Sequence, residues 1–189
     1  MSVGTTPQRI DATDKVTGSA TYPADRVPEN ALHAVVVFTN QPHARLLNLD
    51  LTETLKSPGV VTVVTAADVP INEYGLTLFD QPVFIGLNDS ERSSVPCDVS
   101  RWEADHLAVV VAESPTQARG AASLIKSEWE LLPLVSDVHE AQSDEILVHP
   151  NSTSNTYHEL RIRKGNIAEG MRLADVVIED TYQLPHQEH

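Results

Sequence analysis

Apolar residues fall in short blocks along this chain, each closed by a polar or turn-forming residue. The clearest block, residues 107–112, reads LAVVVA. Six apolar positions without a polar break predict a strand covered on both faces. Ser114 ends the run, and Pro115 supplies the φ favoured at a first helical position. Gln117, three residues after Ser114, is spaced to reach back in a capping box. Ala118, Ala121, Ala122 and Ile125 follow at i, i+3, i+4 and i+7, a narrow stripe made mostly of alanines. Alanine on the buried side lets a helix lie close to a sheet. After Lys126 the period drops to two, with Trp129 and Leu131 set against Glu128 and Glu130. The three elements predict a strand–helix–strand crossover unit, right-handed if its strands pair in parallel.

The same theme precedes it. Residues 31–38, ALHAVVVF, form an apolar run of strand length, and Asn40 to His43 read as a turn. Residues 45–51 alternate as a strand, and Thr52 is placed to cap a short polar helix that Pro58-Gly59 breaks. Residues 60–65, VVTVVT, are a β-branched strand. The repetition is one of type, not of sequence. Before this, residues 1–15 are polar and read as extended, and Ala20 and Tyr22 give a short strand signal ended by Pro23.

Residues 66–94 are irregular, and a loop of that length in a compact domain marks a functional or contact surface. Residues 141–155 end in a Ser/Thr/Asn cluster that reads as a linker. Beyond it, residues 157–163 and 176–182 alternate as strands around a helix started by Asn166 and Glu169. The final LPHQEH brings neither a closing helix nor a polar tail, so the expectation is a chain cut from a longer one.

With 189 residues the chain makes one large domain or two small ones. Only 5% of residues are aromatic, so its core must be aliphatic. No apolar run nears the ~18 residues needed to span a bilayer, and the first fifteen residues hold no secretory h-region. Asn88-Asp-Ser and Asn151-Ser-Thr therefore read as chance matches to a glycosylation pattern. The single cysteine, Cys97, agrees with a reducing, cytoplasmic setting. A formal charge of −14 repels phosphate backbones and anionic lipid, so neither nucleic acid nor membrane is an expected partner.

Candidate chemistry is sparse. The sequence has no GxGxxG, P-loop, GxSxG, HExxH or CxxC motif. Asp98 beside Cys97 would raise the thiol pKa, which argues for a packed side chain over a nucleophile. His186 and His189 flank Glu188 at a spacing that shares a metal on a helix, with His139, His149 and His158 upstream. Pro185 and the preceding strand pattern disfavour that helix, and on a strand residues three apart face opposite sides. His33 and His43 read as hydrogen-bonded structural histidines, and Arg45 as a surface ion pair or a grip on a partner's carboxylate or phosphate. From this chemistry alone the function is not legible.

Taken as ordered blocks, however, the chain resembles a known family. Arg9-Ile-Asp11, Lys15-Val-Thr-Gly18, Ala20, Tyr22 and Asp25 are similar to the opening of xanthine dehydrogenase/aldehyde oxidase large subunits. Leu32-His-Ala34, Pro42-His-Ala-Arg45, Pro58-Gly-Val60 and Thr65-Ala-Ala-Asp68-Val-Pro70 continue the resemblance. Val110-Val-Ala-Glu113, the alanine helix, Glu128-Trp-Glu130 and Leu132-Pro133 follow in order. Gly165-Asn166, Ala174-Asp175-Val176 and Gln187-Glu-His189 complete it. Ala104 stands where many members have glycine, and Asn166 where aspartate is common.

The resemblance implies an α+β fold, the α/β-hammerhead, expected here as a mixed sheet with strand–helix–strand crossovers over residues 16–135. It further implies an extended segment over 1–15, a linker over 136–155, and from 156 to 189 the first strand–helix–strand of a truncated molybdopterin-binding domain. The parent would hydroxylate purines, N-heterocycles or aldehydes using molybdenum–molybdopterin, with iron–sulfur and FAD on partner domains or subunits. The family's glycine-rich cofactor segment and glutamate base lie beyond these blocks, so no residue of this chain is assigned a catalytic, cofactor-binding or metal role. The expected role is scaffolding, with residues 71–95 as a contact candidate for the rest of the subunit or its partners. The alternative is a freestanding hammerhead that binds a protein or a small ligand.

Overall fold

The computed structural model describes residues 4, 6–75, 81–87, 94–149, 151–185 and 187. The chain divides into two units, Met1–Ser136 and Asp137–His189.

Six strands of the first unit form two three-stranded sheets. The valine-rich blocks give β1 (His33–Phe38), β3 (Val60–Val64) and β5 (His106–Ala112), which pair in the order β1-β5-β3. The more polar, alternating segments give β2 (Ala44–Asp50), the short β4 (Val99–Ser100) and β6 (Lys126–Leu131), in the order β4-β2-β6. Helices α2 (Thr52–Lys56) and α3 (Pro115–Ala122) connect the sheets.

The α+β architecture matches expectation, but the pairing corrects the mixed sheet with crossover units. Every described ladder is antiparallel. The two strands flanking α3 lie in different sheets, as do the two flanking α2. β2 pairs with β6 while β3 pairs with β5, so the two strand–helix–strand units interlock reciprocally. Helices of five and eight residues are used here to carry the chain from one sheet to the other. The repetition of type seen in the sequence is thus a topological two-fold.

The core follows from this exchange. Val63, Ala108, Val110 and Ala121 form one buried cluster, flanked by Val37, Leu51, Val60, Ala122 and Ile125. Ala118 and Ala121 of α3 are at most 2% exposed against the sheet, as the alanine stripe requires. Each buried Val or Leu contributes about 1.5–3 kcal/mol. Thr54 of α2 is fully buried, and its Oγ1 donates to the Ala121 carbonyl at 3.2 Å, tying the helices together. Ser114 caps α3 by accepting from the Gln117 amide at 3.3 Å, while its own hydroxyl donates to Gln117 Oε1 at 2.6 Å. Thr52, expected as a cap, instead lies inside α2, and Asp50 Oδ1 accepts from its amide at 2.9 Å.

The N-terminal expectations need correction. Residues Ala12–Thr17 form helix α1, closed by Gly18, and Pro23–Asp25 form a 3-10 turn, so the strand signal at Ala20 and Tyr22 is not realised. Asp25 accepts from the Tyr22 amide at 2.8 Å, which bends the chain where a strand would need to run straight.

In the second unit Asp137 caps α4 (Val138–Gln142), and Asn166 caps α5 (Ile167–Leu173). The expected linker is more structured than its composition suggested. Asn155 Nδ2 donates to the carbonyls of Ala141 and Ile146 at 3.0 and 2.7 Å, and its Oδ1 accepts from Val148 N at 2.9 Å. The strands expected at 157–163 and 176–182 are not formed. The alternation is there, but among the described residues no ladder includes either segment, and an unpaired strand leaves its backbone groups to water. No described helix is long and apolar enough to cross a membrane.

Candidate functional site

Several side chains raised as candidates by the sequence make hydrogen bonds or ion pairs within the fold. Cys97 is 1% exposed, and its thiol donates to the Leu87 carbonyl at 3.4 Å, so it is a packed side chain as expected. Arg45 bridges two carboxylates, with Nε 3.3 Å from Asp98 Oδ2 and Nη1 3.0 Å from Glu130 Oε2. These ion pairs occupy the guanidinium that was considered for a partner's anion. His43 Nδ1 donates to the Pro133 carbonyl, making it a hydrogen-bonded structural histidine. His33 lies on β1 at a half-buried position.

His186, Glu188 and His189, the metal candidate, lie outside the described residues. Among the described residues no group of three or more His, Cys, Asp or Glu is placed to hold a metal. No catalytic step is derived from these residues.

A buried polar knot went unnoticed in the sequence. Ser100 is fully buried, and Thr39 is 5% exposed. A hydroxyl has one proton to give. Ser100 Oγ gives it to the Gln41 carbonyl at 2.7 Å, and Thr39 Oγ1, 2.8 Å away, donates to Ser100 in turn. Asp105 Oδ2 accepts from the Arg101 and Trp102 amides at 2.8 and 3.2 Å, closing the turn that holds them. Asp105 Oδ2 lies 3.4 Å from Ser100 Oγ but is already engaged by the two amides, and Ser100 has no access to solvent, so this knot ties the end of β1 to β4 as a structural element. Ala104, where a glycine was common, sits in this turn without a positive φ. Its methyl group is accommodated there. Asn166 likewise replaces aspartate without loss, since its side chain accepts from the Glu169 amide at 3.2 Å.

The irregular segment after β3 is partly core. Thr65 and Asp68 cap its first turn, with Thr65 N donating to Asp68 Oδ2 at 2.8 Å. Asn72, 2% exposed, bonds both the amide and the carbonyl of Phe84 at 2.9 Å, substituting for a strand partner. Ile85 then packs with Leu46 and Leu107 in a second buried cluster. Gly86 sits so close to the chain after β3 that an added Cβ would lie 2.3 Å from Ala66 Cβ. Among the described residues of this segment, Ile71, Tyr74 and Leu87 are 67%, 52% and 60% exposed. Glu73 accepts from the Ser94 hydroxyl and amide, which hold its carboxyl below the usual range. Residues 76–80 and 88–93 of the candidate lie outside the described residues.

The second unit carries a different feature. Leu160, Ile162, Ile167, Met171, Val176, Ile178 and Tyr182 are all at least 57% exposed. That is an unusual amount of apolar side chain left to water in one short segment.

Two interlocked strand–helix–strand units make a distinctive topology, and comparison with known proteins becomes decisive. Residues 17–133 match the family described as "Aldehyde oxidase and xanthine dehydrogenase, a/b hammerhead domain". The chain belongs to this family. Its relatives include "Xanthine dehydrogenase 1" of Arabidopsis thaliana, 33% identical over 100% of this chain and 13% of that protein. "Aldehyde oxidoreductase" of Megalodesulfovibrio gigas is 34% identical over 96% of this chain and 20% of that protein. The crystal structure of quinoline 2-oxidoreductase from Pseudomonas putida 86 superposes with a TM-score of 0.68 at 29% identity, over 82% of this chain and 19% of that one. The hammerhead chain thus spans between 13% and 20% of the length of these three relatives. The sequence resemblance and the α+β hammerhead fold are both borne out.

Proposed function

We propose that this chain is the N-terminal portion of a molybdopterin-binding oxidoreductase subunit that hydroxylates purines, N-heterocycles or aldehydes. The match to the hammerhead family over residues 17–133, in a chain that spans at most 20% of the relatives named above, carries this reading. In such a parent the molybdenum cofactor would supply the oxidation, taking oxygen from water, with electrons leaving through iron–sulfur and flavin partners. This chain's own residues would act as scaffold. Residues 16–135 are the hammerhead, 136–155 the linker, and 156–189 the opening of the cofactor-binding portion. The exposed apolar side chains of 160–182 support that last assignment, because a segment so composed gains stability only when the remainder of the subunit covers it. A cytoplasmic setting fits the single, buried, unpaired cysteine.

The test is to sequence the native reading frame beyond the codon for His189. Several hundred further codons with a glycine-rich block support the proposal. A stop codon immediately after His189 refutes it and leaves a freestanding binding module. Elemental analysis of the purified chain adds a second arm: near-stoichiometric molybdenum would contradict a purely scaffolding role.

A further inference from the structure

The tripeptide His43-Ala44-Arg45 has more contacts than its place in a strand requires. Ala44 is fully buried and stands opposite Ser100 on one side and Leu131 on the other. Arg45 reaches Asp98 on the β4 side and Glu130 on the β6 side, at 3.3 and 3.0 Å. One position earlier, the His43 carbonyl accepts from Leu132 N at 3.0 Å, and His43 Nδ1 donates to the carbonyl of Pro133. The last residues of the first unit are thus held at Glu130, Leu132 and Pro133 by two side chains and one carbonyl of β2 and its leading turn.

We propose that His43 is the positioning residue that fixes the course of the chain after β6, by holding Pro133 against the turn that leads into β2. The Pro133 carbonyl lies past the last rung of the β2–β6 ladder, so backbone pairing does not hold it. The imidazole does. An acceptor carbonyl requires a proton on Nδ1, which fixes the ring's protonation at that nitrogen. Arg45 keeps β2 in register between both neighbours, so the turn residue His43, directly before Ala44, presents its imidazole next to a fixed strand. The anchor belongs to this chain, whatever reaction the parent catalyses.

Hydrogen exchange of the whole chain, read by NMR, tests the anchor. In His43→Ala the Leu132 amide should exchange about fivefold faster, the effect of one net hydrogen bond, while Val109 to Val111 in β5 keep their protection. His43→Asn places an amide nitrogen near the position of Nδ1 and should restore Leu132. In the wild-type chain the His43 Nδ1 resonance should be that of a protonated nitrogen. Unchanged Leu132 exchange in His43→Ala, acceleration no greater than that of the β5 amides, or an unprotonated Nδ1 would each overturn the proposal. The last reading needs no variant and so survives a substitution that fails to fold.

Discussion

Gly59 sits where the turn after α2 meets the start of α3, and replacing it with alanine tests the interlocked packing directly. Its φ is 78°, in the left-handed region, and its carbonyl accepts from the Glu113 amide at 2.9 Å. Placing a Cβ on that backbone costs about 1–2 kcal/mol. The same Cβ would lie 2.1 Å from Gln117 Nε2 and 2.4 Å from its Cδ. Gln117 is a flexible side chain and would move, but moving gives up the hydrogen bond from Ser114 Oγ at 2.6 Å. That loss adds about 0.5–1.5 kcal/mol. The expected destabilisation of Gly59→Ala is therefore about 1.5–3.5 kcal/mol.

Urea unfolding followed by tryptophan fluorescence measures it. With m near ~2 kcal/mol/M, the midpoint should fall by about 1 M. The two contributions separate in a double-mutant cycle. In a Gln117→Ala background the clash is gone, and Gly59→Ala should cost only the backbone share, about 1–2 kcal/mol. A Gly59→Ala variant within ~0.5 kcal/mol of the parent, about the size of an ordinary surface substitution, would refute the strain argument. An equal cost in both backgrounds would refute the contact with Gln117.

Other consequences are simpler. Gly86→Ala should destabilise the first unit by about 1–3 kcal/mol through overpacking against Ala66, and Ala66→Gly should recover much of it; thermal unfolding of the pair checks this. Ser114→Ala removes the α3 cap and should cost about 1 kcal/mol in the same assay. The backbone amides of Glu140 and His139 hold the Asp137 carboxyl below its ordinary range. Its contribution to α4 is thus fully present above the unfolded carboxylate pKa and is lost as pH falls through the lower folded value. An NMR titration should show the Glu140 amide shift following that lowered pKa, and a midpoint at the ordinary aspartate value would contradict the cap. Asn166→Asp should keep α5 at least as stable, since a carboxylate at a helix start also meets the positive end of the dipole; a drop in helicity by circular dichroism would argue against it.

Residue order alone determined a good deal of this protein. Blocks such as HAVVVF and HLAVVVA are β-branched and apolar, so their local preference and their burial agree, and both become strands. The Ser114-Pro115 start and the alanine stripe of α3, and the Asn166 start of α5, are local signals that need no distant partner. The ordered motif blocks carried the family, because they record a whole fold that no single block specifies.

What periodicity cannot carry is the choice of partner. Strand–helix–strand spacing suits a parallel crossover or a link between two antiparallel sheets equally well. Only the packing of α2 against α3, with Thr54 reaching Ala121, places the flanking strands in different sheets. Residues 19–22 and 176–182 show the opposite failure: alternation marks a potential strand, but a strand exists only where another backbone accepts its hydrogen bonds. The knot of Thr39, Ser100 and Asp105 was invisible because its members are as many as 66 positions apart, and each alone reads as a loop residue. The grip of His43 on Pro133, 90 positions along the chain, was hidden for the same reason. Local preference is written in neighbouring residues, whereas a hydrogen bond between distant ones exists only after the sheets have brought them together.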